Sequence, residues 1–179
     1  PAESAGLVRE AWWLFFSVLG VYLALILLTY YVNDPSWFNA TSSQDNIHNA
    51  GGALGAKLSA VLLSLFGFSA WWWVVFAFYA LWLVYLRLDV VGQSKKPLLF
   101  LNFLGFGMVL VASAAMEFGH LVQLPATLPL NSGGMIGAVV DGLMRQSLGF
   151  VGSTLILLFT IAAGFSLFTG WSWILIIEK

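Results

Sequence analysis

Cysteine is absent from the 179 residues, which excludes disulfides, thiolate chemistry and cysteine-based zinc sites and leaves the redox compartment unreadable. Charge is scarce as well: Asp, Glu, Lys and Arg make up 8% of the chain, against about 25% in an ordinary soluble domain. Seven Lys and Arg against eight Asp and Glu leave a net charge of −1, so there is no strongly basic surface with which to grip DNA or RNA. Neither GxxxxGK[ST] nor HExxH occurs, so a Walker-type phosphate loop and a zinc-protease helix are both missing. Residues 1–11 carry Arg9 and Glu10 and lack the short apolar core and cleavage site of a secretory signal. The chain starts at Pro1 without an initiator Met and reads as trimmed, or as a segment of something longer.

What is present is apolar. Hydrophobic residues form 60% of the chain and the mean hydropathy is +0.92, more apolar surface than a water-soluble fold can bury. The solvent is therefore lipid, and residues 1–179 read as a single all-α membrane domain. About 20 apolar residues cross the hydrocarbon core, and four stretches qualify, at about residues 12–32, 68–86, 98–116 and 150–171. Trp12, Trp13, Tyr30 and Tyr31 bracket the first, Trp71, Trp72, Trp73, Trp82 and Tyr85 lie at the ends of the second, and Trp171 and Trp173 close the fourth. Aromatic belts belong at such positions.

Two of the polar intervals lead into a repeat. At an offset of 82, residues 49–70 and 131–152 share Asn49/Asn131, Gly51/Gly133, Gly52/Gly134, Gly55/Gly137, Ala56/Ala138, Gly67/Gly149 and Phe68/Phe150. Each copy offers an Asn to cap a helix, a Gly-Gly start, a helix of mixed polarity and a Gly-Phe break before a long apolar run. Such a period marks a duplicated helical unit. Leu54, Leu58, Val61 and Leu65 form one apolar stripe, with Lys57 and Ser64 elsewhere. The two helices, about residues 51–66 and 133–148, are thus expected to lie amphipathically in the interface. In the second, Asp141 and Arg145 can pair at i, i+4.

Four spans put both termini on one side, together with Arg9, the connector at residues 87–97 with Arg87, Lys95 and Lys96, and Lys179; Lys57 and Arg145 fall on the other. Positive residues gather on the cytoplasmic side, so the termini and connector are expected there and both copies of the repeat outside. One out-and-back hairpin fills each 82-residue period, so the copies are parallel, related by an axis along the membrane normal.

Catalytic residues, cofactor sites and metal sites are not expected. Glu117 and His120 stand one helical turn apart and could hold a metal or relay a proton, but they also mark the wet end of the third span. His48, beside Asp45 and Asn46, lacks the three or four convergent ligands a metal requires. Asn102 reads as packing glue between helices, and Gly105-Phe106-Gly107 as a close-packing site. The sharper signal is GxxxG at Gly51/Gly55 and Gly133/Gly137, where helix backbones can approach closely. That approach serves either packing within the bundle or an interface with a partner. On the second reading Gly51, Gly52, Gly55, Gly133, Gly134, Gly137, Asp141 and Arg145 form the interface, and bulky residues at the GxxxG glycines impair recruitment without impairing insertion.

The chain resembles the N-terminal four-span membrane domain of the FtsK/SpoIIIE family of bacterial DNA translocases. The likeness rests on Asp34-Pro35-Ser36-Trp37, on the run from Ile47-His48-Asn49 through Gly51, Gly52, Gly55 and Ala56, and on Leu63 to Trp71. It implies an anchor in the bacterial inner membrane that holds a motor at the division septum, contacts division proteins and helps a hexamer assemble. In the family a linker and a cytoplasmic ATPase that moves DNA follow such a domain; the sequence stops at Lys179, before either. Two other classes stand beside that reading: an oligomeric channel or small transporter, and a membrane enzyme using Glu117, His120 or His48.

Overall fold

The computed structural model describes residues 2–37, 47–86, 99–120 and 128–170. All regular structure among them is helical: α1 (Ala2–Leu28), α2 (Gly52–Phe66), a 3-10 segment (Gly67–Trp71), α3 (Trp72–Leu86), α4 (Leu99–His120) and α5 (Gly134–Thr169). Four stretches are long and apolar enough to cross a membrane, namely Glu10–Leu28, Gly52–Leu83, Phe100–His120 and Gly134–Thr169. The connector at residues 87–97, the loop residues Asp45, Asn46 and Pro125, and the terminal Trp171, Trp173 and Lys179 lie outside the described residues.

The second and fourth stretches hold 32 and 36 residues, and at about 1.5 Å of rise per residue each is far longer than a ~30 Å hydrocarbon core. Each is interrupted by a glycine in the left-handed region, Gly67 (φ 60°) and Gly149 (φ 68°), a conformation only glycine adopts without penalty. Roughly 20 residues remain beyond each break, one crossing's worth. The glycines that open α2 and α5 match in the same way, Gly52 at φ 64° and Gly134 at φ 62°. Both are reached through the same turn, Gly52 N–H to Asn49 C=O (2.9 Å) and Gly134 N–H to Asn131 C=O (3.0 Å). Paired residues 82 apart thus share backbone conformation as well as identity.

The chain forms two compact units, Pro1–Ala60 with Trp71–Lys96, and Val61–Ala70 with Pro97–Lys179. In the first, α1 packs on α3, where Gly20 lets the Phe78 ring close to within about 3.2 Å of a would-be Cβ. Leu23, Ile26, Leu27, Val74 and Ala77 are buried, together with Ala56 and Ala60 of α2. In the second, α4 packs on α5. Gly105 and Gly164 face one another so closely that a Cβ on Gly105 would lie 2.6 Å from the Gly164 carbonyl, and Ala112, Ala115 and Leu157 fill the core nearby.

Small residues make these contacts while large apolar ones point outward, Val18, Phe103, Leu155 and Phe159 among them. That is the expected inversion where lipid is as apolar as leucine and helices associate by close packing. The same division runs along α2, whose apolar stripe is the one the sequence picks out. Its Leu54–Leu58 stripe is exposed, and the buried face is Ala56, Ser59, Ala60, Leu63 and Ser64.

Candidate functional site

Among the described residues, polar contacts gather at the two starts of the repeat, and each start is built within its own unit. In the first, Asp34 is 4% exposed and its carboxylate accepts the backbone N–H groups of His48 (3.0 Å) and Asn49 (2.8 Å). This clamps the returning chain against the end of α1. Asn49 then turns both ways. Its amide Nδ2 donates to the carbonyls of Ile26 (2.9 Å) and Thr29 (3.4 Å) and to the Ser59 hydroxyl (3.3 Å), while its Oδ1 accepts Gly51 N–H (2.9 Å). One side chain thereby satisfies carbonyls at the end of α1, which otherwise have no intrahelical donor, and shapes the turn into α2. α1 ends at Leu28, short of the expected Val32, because these bonds take over the backbone there.

Gly51 and Gly55 make that fit possible. A Cβ on Gly51 would lie 2.5 Å from Ile26 Cγ2, and one on Gly55 would lie 2.5 Å from Asn49 Oδ1. Gly52 is different: it is exposed, and nothing lies within 4 Å of a Cβ there. His48 is exposed, with its ring 3.4 Å from Asp34 Oδ1 and 4.5 Å from the Tyr31 ring centroid.

In the second unit Gly133 and Gly137 press on α4, where a Cβ on either would overlap the Ala114 carbonyl. All four GxxxG glycines therefore serve packing within the chain, and the close approach expected at a partner interface is already occupied. Asn131 is exposed, and the N-cap position of α5 falls on Gly133 with no side-chain bond, so the capping role expected of Asn131 is not realised. The Asp141–Arg145 pair does form, with Arg145 Nε 2.8 and 2.7 Å from the two carboxylate oxygens. Arg145 Nη2 donates to the Gly119 carbonyl (2.7 Å), and the guanidinium lies 4.6 Å from the centroid of the Phe150 ring. A cavity of about 230 Å³ opens here, lined by Phe118, Gly119, Asn131, Ser132, Asp141 and Arg145.

Glu117 has a structural task that the sequence did not reveal. Its carboxylate accepts the Ser69 N–H (2.9 Å) and the Ser69 hydroxyl (2.6 Å), and Ser113 lies 2.7 Å from that hydroxyl. Next to it the Ser132 carbonyl accepts Phe68 N–H (2.7 Å), and the Ser132 hydroxyl donates to the Glu117 carbonyl (3.0 Å). The N–H groups exposed at the Gly67 break are the orphan donors of a new helix start, and a carboxylate is the favoured partner there. His120, one turn on, bonds the Met116 carbonyl (3.1 Å) and contacts Thr154 Oγ1 (3.3 Å); it does not join Glu117 in a common site. Among the described residues no three His, Asp or Glu side chains converge as a metal would require. Asn102 is half-buried on α4.

Residues 5–179 match the family described as the 4TM region of DNA translocase FtsK/SpoIIIE. The chain is 33% identical over its whole length to DNA translocase FtsK 2 of Ralstonia nicotianae, covering 23% of that protein. It is 33% identical over 90% of its length to DNA translocase FtsK of Vibrio vulnificus, covering 16% of it. To the FtsK of Pseudomonas syringae pv. syringae it is 28% identical over 96% of its length, covering 21%. The chain thus spans about a fifth of the length of the curated relatives it matches. No solved structure matches it. Its four apolar helical stretches and its match over nearly the full length agree: the chain belongs to the four-span membrane region of the FtsK/SpoIIIE DNA translocase family.

Proposed function

We propose that this chain anchors a DNA-translocating motor in the bacterial cytoplasmic membrane at the division septum and presents its outer junctions to division proteins. The observation that carries the reading is the family match to the membrane region of the translocases. The termini and the connector at residues 87–97 face the cytoplasm on this reading, five positive residues against two, and the four-span unit takes part in a homo-oligomer. ATP and DNA belong to the motor and are assigned to no residue here.

Partner recognition then falls to surfaces beside the glycines, since Gly51, Gly55, Gly133 and Gly137 are taken up internally. Trp37 is 77% exposed and, with Ala53, Leu54, Lys57 and Leu58, lines an apolar recess of about 440 Å³. An exposed tryptophan beside a lysine fits protein recognition, where aromatic anchors dominate. The ionisable residues described at the membrane stretches sit near ends or breaks, as Glu117, His120, Asp141 and Arg145 do, which gives the channel reading no polar path.

A fluorescent fusion of the chain should concentrate at midcell in dividing bacteria. Trp37→Ala with Leu54→Ala should lower that enrichment several-fold at unchanged membrane content. A fusion spread evenly around the cell envelope would contradict the septal reading.

A further inference from the structure

The two copies of the repeat share backbone conformation but are not equally covered. At the break of the first copy, Gly67, Ser69 and Ala70 are buried. The turn opening the second copy covers them: the Ser132 carbonyl takes Phe68 N–H, and a Cβ on Gly134 would lie 2.6 Å from Gly67 N and 2.6 Å from the Leu65 carbonyl. This is one contact, break against turn, made inside the second unit.

Its two halves recur unpaired. The equivalent break in the second copy has the same left-handed glycine, Gly149 at φ 68° against 60°. Phe68 and Phe150 are equally exposed, but Gly149 and Val151 are exposed where Gly67 and Ser69 are buried, and nothing lies within 4 Å of a Cβ on Gly149. The equivalent turn in the first copy has Gly52 at φ 64° against 62°. There Ala50 and Gly52 are exposed, whereas Ser132 and Gly134 are buried. One chain therefore holds one completed break-and-turn contact, an open break after it in sequence and an open turn before it.

We infer that a second copy of this chain completes the pattern, with residues 149–151 of one copy docking on residues 50–52 of the next. The Ala50 carbonyl takes the place of Ser132's as acceptor for Phe150 N–H, and Gly52, lacking a Cβ, admits the Gly149 backbone as Gly134 admits Gly67. Repeat units leave complementary end surfaces when they contact only their neighbours. A contact using two different patches is heterologous: it closes into a ring or runs on as a line according to the rotation it imposes. Val151 stands where Ser69 meets the Glu117 carboxylate, so the contact between copies lacks that charge-assisted bond and is weaker and reversible. The inference rests on the homo-oligomer of the proposed function and names its contact; it is independent of the septal anchoring, which the fluorescent fusion tests separately.

The chain has no cysteine, which makes cross-linking clean. Chains carrying Ala50→Cys alone and Val151→Cys alone, with different tags, would be produced together and oxidised in membranes. A mixed dimer several-fold above either single variant is expected, and Ser147→Trp in the Val151→Cys chain, at the counterpart of Leu65, should remove it. Phe68→Cys with Ser132→Cys in one chain should form an internal disulfide, reporting the template contact and the fold. Three results overturn the inference: no mixed dimer while the internal disulfide forms, an equal yield when Phe103→Cys replaces Ala50→Cys, or efficient dimers of Val151→Cys with itself. Failure of the internal disulfide overturns it too, by removing the contact on which it is patterned.

Discussion

Gly137→Leu is expected to part α4 from the start of α5, at a cost of about 3 kcal/mol or more, the upper end for overpacking. The size follows from what the new side chain meets. A Cβ at position 137 overlaps the Ala114 carbonyl and comes within 2.7 Å of its carbon, and backbone inside a packed helix cannot rotate aside as a side chain can. Gly133→Leu should behave alike, since it meets the same carbonyl and the Phe118 backbone at 2.8 Å. Gly142 lies on the same helix, is exposed and has nothing within 4 Å. Leucine there should be neutral, or stabilising by up to ~1 kcal/mol through helix propensity. Denaturant titration of the reconstituted chain, followed by the fluorescence of its nine tryptophans, separates the cases. Equal midpoints for Gly137→Leu and Gly142→Leu would show that the close approach to Ala114 does not hold the unit.

Asn49→Ala should cost about 2–4 kcal/mol, because several buried groups lose their partners together and each unsatisfied one costs ~1–3 kcal/mol. The losers are the Ile26 and Thr29 carbonyls and the Gly51 N–H; the Ser59 hydroxyl keeps its bond to the Ala56 carbonyl. Asp34→Ala should cost a similar amount by stranding the N–H groups of His48 and Asn49. The double variant should cost less than the sum, as expected of groups in one network. Asn131, identical in sequence position within the repeat, is exposed, and Asn131→Ala should stay within ~0.5 kcal/mol. The same titration reads all four. A loss at Asn131 as large as that at Asn49 would mean that the repeat, and not the Asp34–Asn49 network, sets the stability of these turns.

The contrast between Asn49 and Asn131 shows what was legible in the sequence. Span number and the two break glycines were readable because each depends on local features, a run of apolar residues or a glycine at a fixed repeat position. The packed face of α2 was not marked by the Leu54 and Leu58 stripe, which is exposed and is a guide to burial only where water is the solvent. In lipid the small residues mark the contact, and Gly55, Ala56, Ser59 and Ala60 were the better signal. Asp34 stood out only within the Asp34-Pro35-Ser36-Trp37 run and Glu117 as a carboxylate at a span end; their partners lie 14 and 48 residues away, beyond any local pattern. Equal glycines gave equal turns; the side chains around them did not give equal environments.

The proposed topology of four spans puts both glycine breaks, with the turns that precede them, on the non-cytoplasmic side. Single cysteines at Trp37, Leu130 and Gln93, labelled in intact cells with a thiol reagent that does not cross the membrane, test it directly. Trp37 and Leu130 are exposed at 77% and 53%; Ser132, at 7%, is too buried to report. Labelling at Trp37→Cys and Leu130→Cys, with Gln93→Cys reacting only after lysis, is the predicted result. Labelling at Gln93→Cys in intact cells, or at only one of the other two, would contradict the two-hairpin arrangement.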